Sequence, residues 1–321
     1  MRVAFVLQDL QLRPGVGAVV AHAASLDGAA IVLAREQEHR HWAYPGLEDV
    51  RIVPFAEAAG ETWDVAVCAG GATAASALAL DARRWACLLV QDDTVDGVSA
   101  TALPLAFLAP TRAAADLIAD LQPGQVPLWV PTSVSPASPL PPASDRSGVL
   151  DVAAATAARP SHADHGRAIA AAAVVVAHDD ADPYDSVLLA FASGTPVVLS
   201  TAHPHAEAVE HGVGGLLVDP GDTLALDAAV ARAAELTPPP APAPPAAAGI
   251  ADALARVLAD PPPPASAVAR RVAADLATAA AEADALRAAL AHAHAGPPPP
   301  APHPPSFARR AARAARRRLR R

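Results

Sequence analysis

The sequence contains no lysine and no asparagine, and all 24 of its basic residues other than histidine are arginine. Lysine and asparagine have AT-rich codons, so their absence indicates a very GC-rich bacterial genome. The same bias adds alanine and proline to the chain without functional meaning. Arginine and histidine are therefore the only side chains that can carry positive charge to an anionic ligand.

The chain has only two cysteines, Cys68 and Cys87, and their spacing fits no metal or redox motif. Two thiols in a chain of 321 residues favour a reducing compartment and buried, inert side chains. A disulfide between them is the alternative that the sequence leaves open.

No apolar segment is long enough to cross a membrane. The longest run, Ala168–Ala177, has about half the length that a membrane span requires. The chain begins directly with a predicted strand, Arg2–Leu7, without the charged and apolar regions of a secretory signal. We therefore expect a cytoplasmic protein.

The net charge of −9 is distributed unevenly. The last sixteen residues hold eight arginines and no acidic residue, so the remaining body has 16 arginines against 33 acidic residues, a net charge of −17. An acidic body argues against nucleic-acid binding. The basic tail, Arg309–Arg321, suits an anionic membrane surface, which would make the protein peripheral at the inner face of the plasma membrane. Contact with the acidic body, or with RNA, is the alternative role of the tail.

Residues 1–135 alternate short apolar runs with polar or alanine-rich segments, a pattern that predicts a parallel sheet covered by helices on both faces, a Rossmann-like domain. The predicted strands are Arg2–Leu7, Ala30–Ala34, Val50–Phe55, Asp64–Ala69, Ala86–Gln91, Pro104–Ala109 and Val126–Pro131, and the predicted helices include Gly17–Ala24, Thr73–Ala79 and Thr111–Leu121.

A proline- and serine-rich linker is predicted over 136–148, followed by a second, shorter Rossmann-like domain over 149–236. Its predicted strands are Val149–Ala153, Ala172–Ala177, Pro196–Ser200 and Gly215–Val218. Residues 237–295 form a Pro/Ala-rich extension with helices predicted at Ile250–Leu258 and Ala265–Ala293. Residues 296–321 read as a polyproline linker and the arginine-rich tail.

Two segments carry a family resemblance. The first is the opening M-R-V-A-F-V-L-Q-D-L-Q-L-R-P-G-V-G-A-V-V, a strand followed by a glycine-bearing loop and a helix. The second is Gly194–Asp222, which opens G-T-P-V-V-L-S. Together they resemble retaining glycosyltransferases of family 4, over about residues 1–135 and 163–236. The resemblance implies an α/β protein of the GT-B type, with two Rossmann-like domains facing a cleft. It also implies that a nucleotide-sugar serves as donor substrate, with no cofactor and no metal.

The resemblance places the donor diphosphate near Gly15 and Gly17, where backbone can approach a ligand ahead of a helix N-terminus that favours anions. A plain strand-to-helix turn is the alternative. In the second segment the resemblance assigns donor binding to Gly194, Thr195, His203 and Glu207.

The chain departs from the family at two glutamates, whose positions hold Ala181 and Leu189. Asp182 and Asp185 are candidates to replace the first glutamate at the donor, although Asp185 or Ser186 can instead cap the helix predicted at Val187–Ser193. The family's Arg–Lys pair for the diphosphate has no counterpart. Arg167 is the best candidate to replace it, with a solvated helix position as the alternative.

The acceptor side is predicted at Gln91, Asp92 and Asp93, which follow a strand on the side where ligands bind in open α/β sheets. A solvated acidic loop is the alternative interpretation. No side chain of the sequence is assigned as catalytic.

The leading hypothesis is transfer of a sugar from a nucleotide-sugar to a polysaccharide or cell-envelope acceptor, a glycan or a lipid-linked one, with retention of configuration. The alternative is a catalytically inactive GT-B module that binds or scaffolds, tethered by its basic tail. The altered glutamates and the missing lysine favour this alternative.

Overall fold

The computed structural model describes residues 1–11, 13, 15–35, 44–89, 100, 103, 105–121, 125–130, 134, 140–157, 160–177, 184–203, 205–209, 211–236, 248–259, 278, 279 and 286. The chain forms two compact units, Met1–Ala277 and Thr278–Arg321. In the second unit, the described residues Thr278, Ala279 and Leu286 are helical. The two sheets and the site described below lie in the first unit.

The first sheet has seven parallel strands in the order β3-β2-β1-β4-β5-β6-β7. Its strands are β1 (Val3–Leu7), β2 (Ala29–Leu33), β3 (Arg51–Pro54), β4 (Thr62–Ala69), β5 (Asp81–Leu88), β6 (Ala106–Ala109) and β7 (Leu128–Trp129). Its helices are α1 (Val16–Ala24), α2 (Phe55–Ala58), α3 (Ala74–Ala79) and α4 (Arg112–Leu121). All five residues of β1 are buried, as the continuous apolar run predicts for a central parallel strand.

The second sheet has four parallel strands in the order β11-β10-β9-β8. Its strands are β8 (Val149–Asp151), β9 (Val174–Ala177), β10 (Val197–Ser200) and β11 (Gly215–Val218). Its helices are α5 (Val152–Ala157), α6 (His162–Ala171), α7 (Ser186–Ser193) and α8 (Thr223–Ala233). The predicted α/β architecture with two parallel sheets is confirmed.

Each sheet separates two apolar clusters, because both faces of a parallel sheet have to be covered. In the first sheet, one cluster includes α3 and α4, and the other includes α1. A last described helix, α9 (Ala248–Ala259), joins the α1 side through Ile250 and Leu254. A helix from beyond the second sheet therefore packs back onto the first. Among the described residues, the helices are all too short or too polar to span a membrane.

Several local predictions are wrong. β5 begins at Asp81, well before the start of the strand predicted at Ala86–Gln91. The strand predicted at Val149–Ala153 ends at Asp151, because the Asp151 carboxylate accepts a hydrogen bond from the Ala154 amide at 2.9 Å and so starts a helix. Trp129 stands in a predicted strand, a position that favours the core, yet it is 52% exposed on β7. Among the described strands, β7 lies at the edge of its sheet, where side chains are less covered than on a central strand.

The two cysteines face each other on neighbouring strands. Cys68 on β4 pairs in register with Cys87 on β5, and both side chains are fully buried. They are not joined in a disulfide. The expectation of buried thiols is confirmed, and the sheet register explains why two cysteines far apart in sequence come together.

Gly215 is required at the start of β11. A Cβ built on this residue would lie 2.5 Å from the carbonyl oxygen of Val197 and 2.6 Å from its Cγ2. Since Val197 is its register partner on β10, the strands would have to separate. We expect Gly215→Ala to lower the free energy of unfolding by about 1–3 kcal/mol. Urea denaturation measures the change.

The matched control for this variant is Gly249→Ala in α9, where an added Cβ meets no atom within 4 Å. Alanine is the better helix former, so this control should be neutral or slightly stabilising. Equal stability losses in the two variants would contradict the strand-packing explanation.

Candidate functional site

The site lies where the carboxyl ends of the two sheets meet. The segments after β1, β6, β9 and β10 all emerge at carboxyl ends of parallel strands, and in open α/β sheets ligands bind at that edge. Two hydrogen bonds join the halves of the molecule there, one from the start of α1 and one from the start of α4.

The loop between β1 and α1 ends at two glycines with different roles. Gly15 is the N-cap of α1 and adopts the left-handed conformation, φ 80° and ψ −11°, which glycine reaches without steric cost. Gly17 has no such φ but stands in a crowded position. A Cβ on Gly17 would lie 2.9 Å from Asp185 Oδ2, 3.6 Å from His162 Nε2 and 3.7 Å from Tyr44 Cδ1. Both predicted glycines therefore lie where the two halves of the molecule meet.

The Asp185 carboxylate occupies the N-terminus of α1. The amide of Gly15 donates a hydrogen bond to Asp185 Oδ1 at 3.0 Å, across 170 positions of sequence. Asp185 stands at the N-cap position of α7, yet its side chain does not cap that helix. The expectation that Asp185 caps α7 is wrong. The carboxylate instead meets the partial positive charge of α1, which attracts an anion more strongly than neutral surface does.

Glu207 makes the second contact between the halves. It lies in the short 3-10 turn Ala206–Ala208 that follows β10, and its carboxylate accepts a hydrogen bond from the amide of Arg112, the first residue of α4. Both contacts thus have the same form: a carboxylate from the second half rests on a helix N-terminus of the first.

A buried cluster of rings lies beside α1 and was missed by the sequence interpretation. His162 and His165 are each 1% exposed, on the first two turns of α6. The ring centroid of His162 is 4.9 Å from that of Tyr44, and His165 stacks on Tyr184 at 4.2 Å. The signal was H-A-D-H, two histidines three positions apart at a helix start, which places both on one face.

Hydrogen bonds hold most of this cluster. His165 Nε2 lies 2.7 Å from Ser186 Oγ, and the Tyr184 hydroxyl donates to the carbonyl oxygen of Pro160 at 2.8 Å. The Tyr44 hydroxyl donates to the carbonyl oxygen of Gln11 at 3.1 Å. For His162, neither ring nitrogen has a hydrogen-bond partner among the residues that the structure describes.

The rings are electrically neutral at physiological pH. Burial lowers the pKa of His162 to about 4. Burial, reinforced by the nearby His162, lowers the pKa of His165 to about 4 as well. Burial and then the negative charge of Asp185 raise the pKa of Tyr44 above its ordinary value. The cluster therefore offers polar N–H and O–H groups without charge.

His203 and His205 form a second pair after β10. His203 is buried, and its Nδ1 accepts a hydrogen bond from the His205 amide at 3.1 Å, which fixes its proton on Nε2 when the ring is neutral. Burial first, and His203 second, lower the pKa of His205 to about 4. Across the described residues, no three His, Cys, Asp or Glu side chains are grouped so that they could hold a metal ion.

The structure does not bring Arg167 to the glycines of α1. Its side chain is 62% exposed on α6 and pairs with Asp164 one turn earlier. Arg146 is engaged elsewhere, because its guanidinium donates to the carbonyl oxygens of Ser193 and Gly194 and so caps the C-terminus of α7.

Arg13 is a basic residue of the site loop that the sequence interpretation did not consider. It stands two positions before Gly15, and its guanidinium donates to the buried Asp9 carboxylate at 3.0 Å and to Gln8. The side chain of Arg13 is 36% exposed, so the loop does not enclose it fully.

Gly194 and Thr195 have structural roles at the opposite edge of the sheet. Gly194 is the left-handed C-cap of α7, with φ 63°. Thr195 is buried, and its hydroxyl donates to the carbonyl oxygen of Ile169 at 3.2 Å. Both precede β10, so they lie at its amino end, away from Gly15. Leu189 lies on α7 at the position of the family's second glutamate, and its side chain packs in the apolar core.

Four predicted residues lie outside the part of the chain that the structure describes. These are Asp182 on the donor side and Gln91, Asp92 and Asp93 on the acceptor side. The basic tail, Arg309–Arg321, lies outside it as well.

The second half of the chain resembles a known protein family in sequence. Residues 159–235 match the sequence model of the family described as Glycosyl transferases group 1. No curated protein matches the chain.

Solved structures match over nearly the whole fold. HepE from Anabaena, in complex with UDP-glucose, has a TM-score of 0.53 and 15% identity, covering 88% of this chain and 100% of that one. A HepE complex with UDP and glucose has a TM-score of 0.52 and 14% identity, covering 87% and 99%. A glycosyltransferase from Rickettsia africae has a TM-score of 0.52 and 9% identity, covering 86% and 97%.

At these identities the solved structures establish the fold alone, and the family match covers the second half of the site. The assignment to family 4 stays a prediction. The chain thus has the two-domain GT-B-like fold, and its residues 159–235 match the glycosyl transferases group 1 family.

Proposed function

We propose that the protein transfers a sugar from a nucleotide-sugar donor to a polysaccharide or cell-envelope acceptor, with retention of configuration. The nucleotide-sugar is the substrate, and no cofactor takes part. Gly15 and Gly17 receive the donor diphosphate at the start of α1, and Glu207 lies on the same edge of the second half.

One observation carries this proposal: the start of α1 already holds an anion. The Gly15 amide binds the Asp185 carboxylate at 3.0 Å, and the absence of a side chain at Gly17 leaves room for its second oxygen. A helix N-terminus that presents a backbone amide beside a glycine suits phosphate for the same electrostatic reason. The matches to HepE, whose complexes contain UDP and UDP-glucose, support a nucleoside diphosphate as the ligand.

Arg13 supplies positive charge to the leaving diphosphate in this proposal. Its guanidinium is bound by Asp9 in the loop that leads to Gly15, whose amide already binds a carboxylate. We expect Arg13→Ala to weaken the binding of a nucleoside diphosphate by roughly 10-fold or more, because a hydrogen bond to a charged group contributes about 1.5–3 kcal/mol. Isothermal titration calorimetry measures the affinity.

Arg83→Ala is the matched control for this variant. Arg83 is 70% exposed near the amino end of β5, away from the site edge, and also pairs with an aspartate, Asp64. The Arg83→Ala variant removes the same positive charge from the protein. Its affinity for the nucleoside diphosphate should stay within about twofold of the wild-type affinity at ordinary salt. Equal losses in both variants would reduce the Arg13 effect to net charge and contradict its role at the phosphate.

The alternative function is a catalytically inactive module of the same fold that binds or scaffolds. The observation in its favour is that the position of the family's second glutamate, which in the family bonds the ribose of the nucleotide, holds Leu189, which is buried in the core. A leucine cannot accept a hydrogen bond from a hydroxyl group. Arg146 and Arg167 are also engaged away from Gly15.

The basic tail gives both functions a common location. We propose that Arg309–Arg321 holds the protein at an anionic membrane surface, at the cytoplasmic face, where a lipid-linked acceptor is available. Co-sedimentation with vesicles containing phosphatidylglycerol, compared with pure phosphatidylcholine, tests this. A chain ending at Ser306 should lose the binding, and binding that survives the truncation would contradict the tail's role.

Calorimetric titration with UDP, GDP, dTDP and their sugars, with and without a divalent metal, tests the central proposal. Micromolar binding of one nucleoside diphosphate is the expected result, and it identifies the donor base. Release of the sugar to an acceptor extract then tests transfer. If no nucleotide binds even at millimolar concentration, the enzyme proposal is overturned in favour of the inactive module.

A further inference from the structure

Asp185 has a strained backbone. It is the one residue other than glycine with a positive φ among those described, at φ 54° and ψ 40°. Such a conformation costs on the order of 1 kcal/mol and persists only when the surrounding structure requires it. Aspartate is among the residue types that tolerate it best.

The strain accompanies a choice between two helices. Asp185 is the N-cap residue of α7, where aspartate is a preferred cap, but its side chain leaves that helix uncapped. Its Oδ1 accepts from Gly15 at the start of α1, and its Oδ2 lies 2.9 Å from the position of a Cβ on Gly17. The Asp185 carboxylate is thus positioned to bind the N-terminus of either helix. It binds α1, which is distant in sequence, and not α7.

An independent feature indicates that this position is built for another ligand. His162 is 1% exposed, and neither ring nitrogen has a hydrogen-bond partner within the described residues. Its Nε2 lies 3.6 Å from the same Cβ position on Gly17. A buried N–H without a partner is costly, and an anionic oxygen at the start of α1 would satisfy it.

We infer that Asp185 is a built-in occupant of the phosphate position at α1, and that the donor diphosphate binds by displacing it. This inference rests on the proposed function and adds to it a residue that determines specificity. When displaced, the carboxylate turns back to cap α7, so its hydrogen bond is exchanged and not lost. The incoming phosphate oxygen accepts from the Gly15 amide and from His162.

The exchange makes the site selective for charge. Orthophosphate carries less negative charge than pyrophosphate, so it gains less over the carboxylate already present. A diphosphate carries more negative charge at the same place and displaces it. The wild-type protein should therefore bind pyrophosphate at least about tenfold more tightly than orthophosphate, and removing the Asp185 charge should narrow that difference.

The test uses Asp185→Asn and Asp185→Gly in the full-length chain, titrated calorimetrically with pyrophosphate, orthophosphate and UDP. Asparagine keeps the shape of the side chain, and both residues suit a left-handed backbone, so both variants should fold. Circular dichroism verifies this. We expect each variant to bind pyrophosphate about tenfold more tightly than the wild type does.

The matched control is Asp222→Asn. Asp222 is also an N-cap aspartate, with its Oδ1 accepting from Ala225 at 2.9 Å, and the variant removes the same charge from a helix outside the site. Its pyrophosphate affinity should equal that of the wild type. An equal gain in this control, or no gain in either Asp185 variant, overturns the inference.

The UDP titration separates the inference from the proposed function. If the Asp185 variants gain pyrophosphate affinity while no variant binds UDP or another nucleoside diphosphate, the built-in occupant stands and the proposed function falls. If the wild type binds a nucleoside diphosphate and the Asp185 variants bind it no more tightly, the proposed function stands and the inference falls.

Discussion

Replacing Gly17 with alanine is expected to weaken nucleoside diphosphate binding by roughly 10- to 150-fold, the effect of losing one hydrogen bond to a charged group. The added methyl group would lie 2.9 Å from Asp185 Oδ2 and within 4 Å of His162 and Tyr44. The carboxylate is the end of a flexible side chain and can shift. A phosphate that has to reach the Gly15 amide cannot avoid the methyl group. The substitution therefore lowers the affinity for the ligand.

The folded state should tolerate this change. Gly17 lies in α1 without a positive φ, and alanine is about 1 kcal/mol more favourable than glycine inside a helix. Gly249→Ala is the control, since its methyl group meets no atom within 4 Å. Calorimetry measures the effect, with the nucleoside diphosphate that binds in the titration series with UDP, GDP and dTDP. Unchanged affinity in Gly17→Ala would show that the ligand does not approach the start of α1.

Acidification below pH 6.5 is expected to destabilise the protein by several kcal/mol. Burial lowers the pKa of His22, His162 and His165 to about 4, against an ordinary value of 6.5. Between pH 6.5 and pH 4 these histidines are protonated in the unfolded chain but stay neutral in the folded chain. The free energy of unfolding therefore falls as the pH falls. The loss begins near pH 6.5 and is complete near pH 4. Each ring contributes roughly 3 kcal/mol over this range.

Urea denaturation at intervals from pH 7.5 to 4.5 measures this dependence. His22→Leu is the informative variant, because His22 is buried on α1, outside the ring cluster, and its Nε2 has no hydrogen-bond partner among the described residues. The free energy of unfolding of this variant should depend less on pH than that of the wild type, by the contribution of one histidine. A free energy of unfolding that stays constant from pH 7 to pH 5 would contradict the neutral, buried state of these rings.

The apolar patterning predicted the fold because it depends on local chemistry. Continuous runs such as V-A-F-V-L in β1 have to be covered on both faces, which requires a parallel sheet with helices on either side. The errors occurred where tertiary position overrides composition. Trp129 is apolar, yet the sequence does not say that β7 is the edge of its sheet.

The candidate site was predicted only in part. Gly15 and Gly17 were identified from a strand, a loop and a helix start that are contiguous in sequence, and both lie where the two halves meet. Arg167 was chosen as a cation for its place along the chain, but its exposed pairing with Asp164 depends on which face of α6 is covered. His162 was missed because its importance comes from Tyr44 and Gly17, which are distant in sequence.

The sequence by itself determined two parallel α/β layers, a glycine-bearing loop between β1 and α1, and a resemblance to sugar-nucleotide enzymes. These follow from periodicity and from short contiguous motifs. The tertiary structure alone decided that Asp185 leaves its own helix to bind Gly15, since that contact spans 170 positions. Local propensity favours capping α7, and only the meeting of two sheet edges offers the carboxylate a second helix N-terminus.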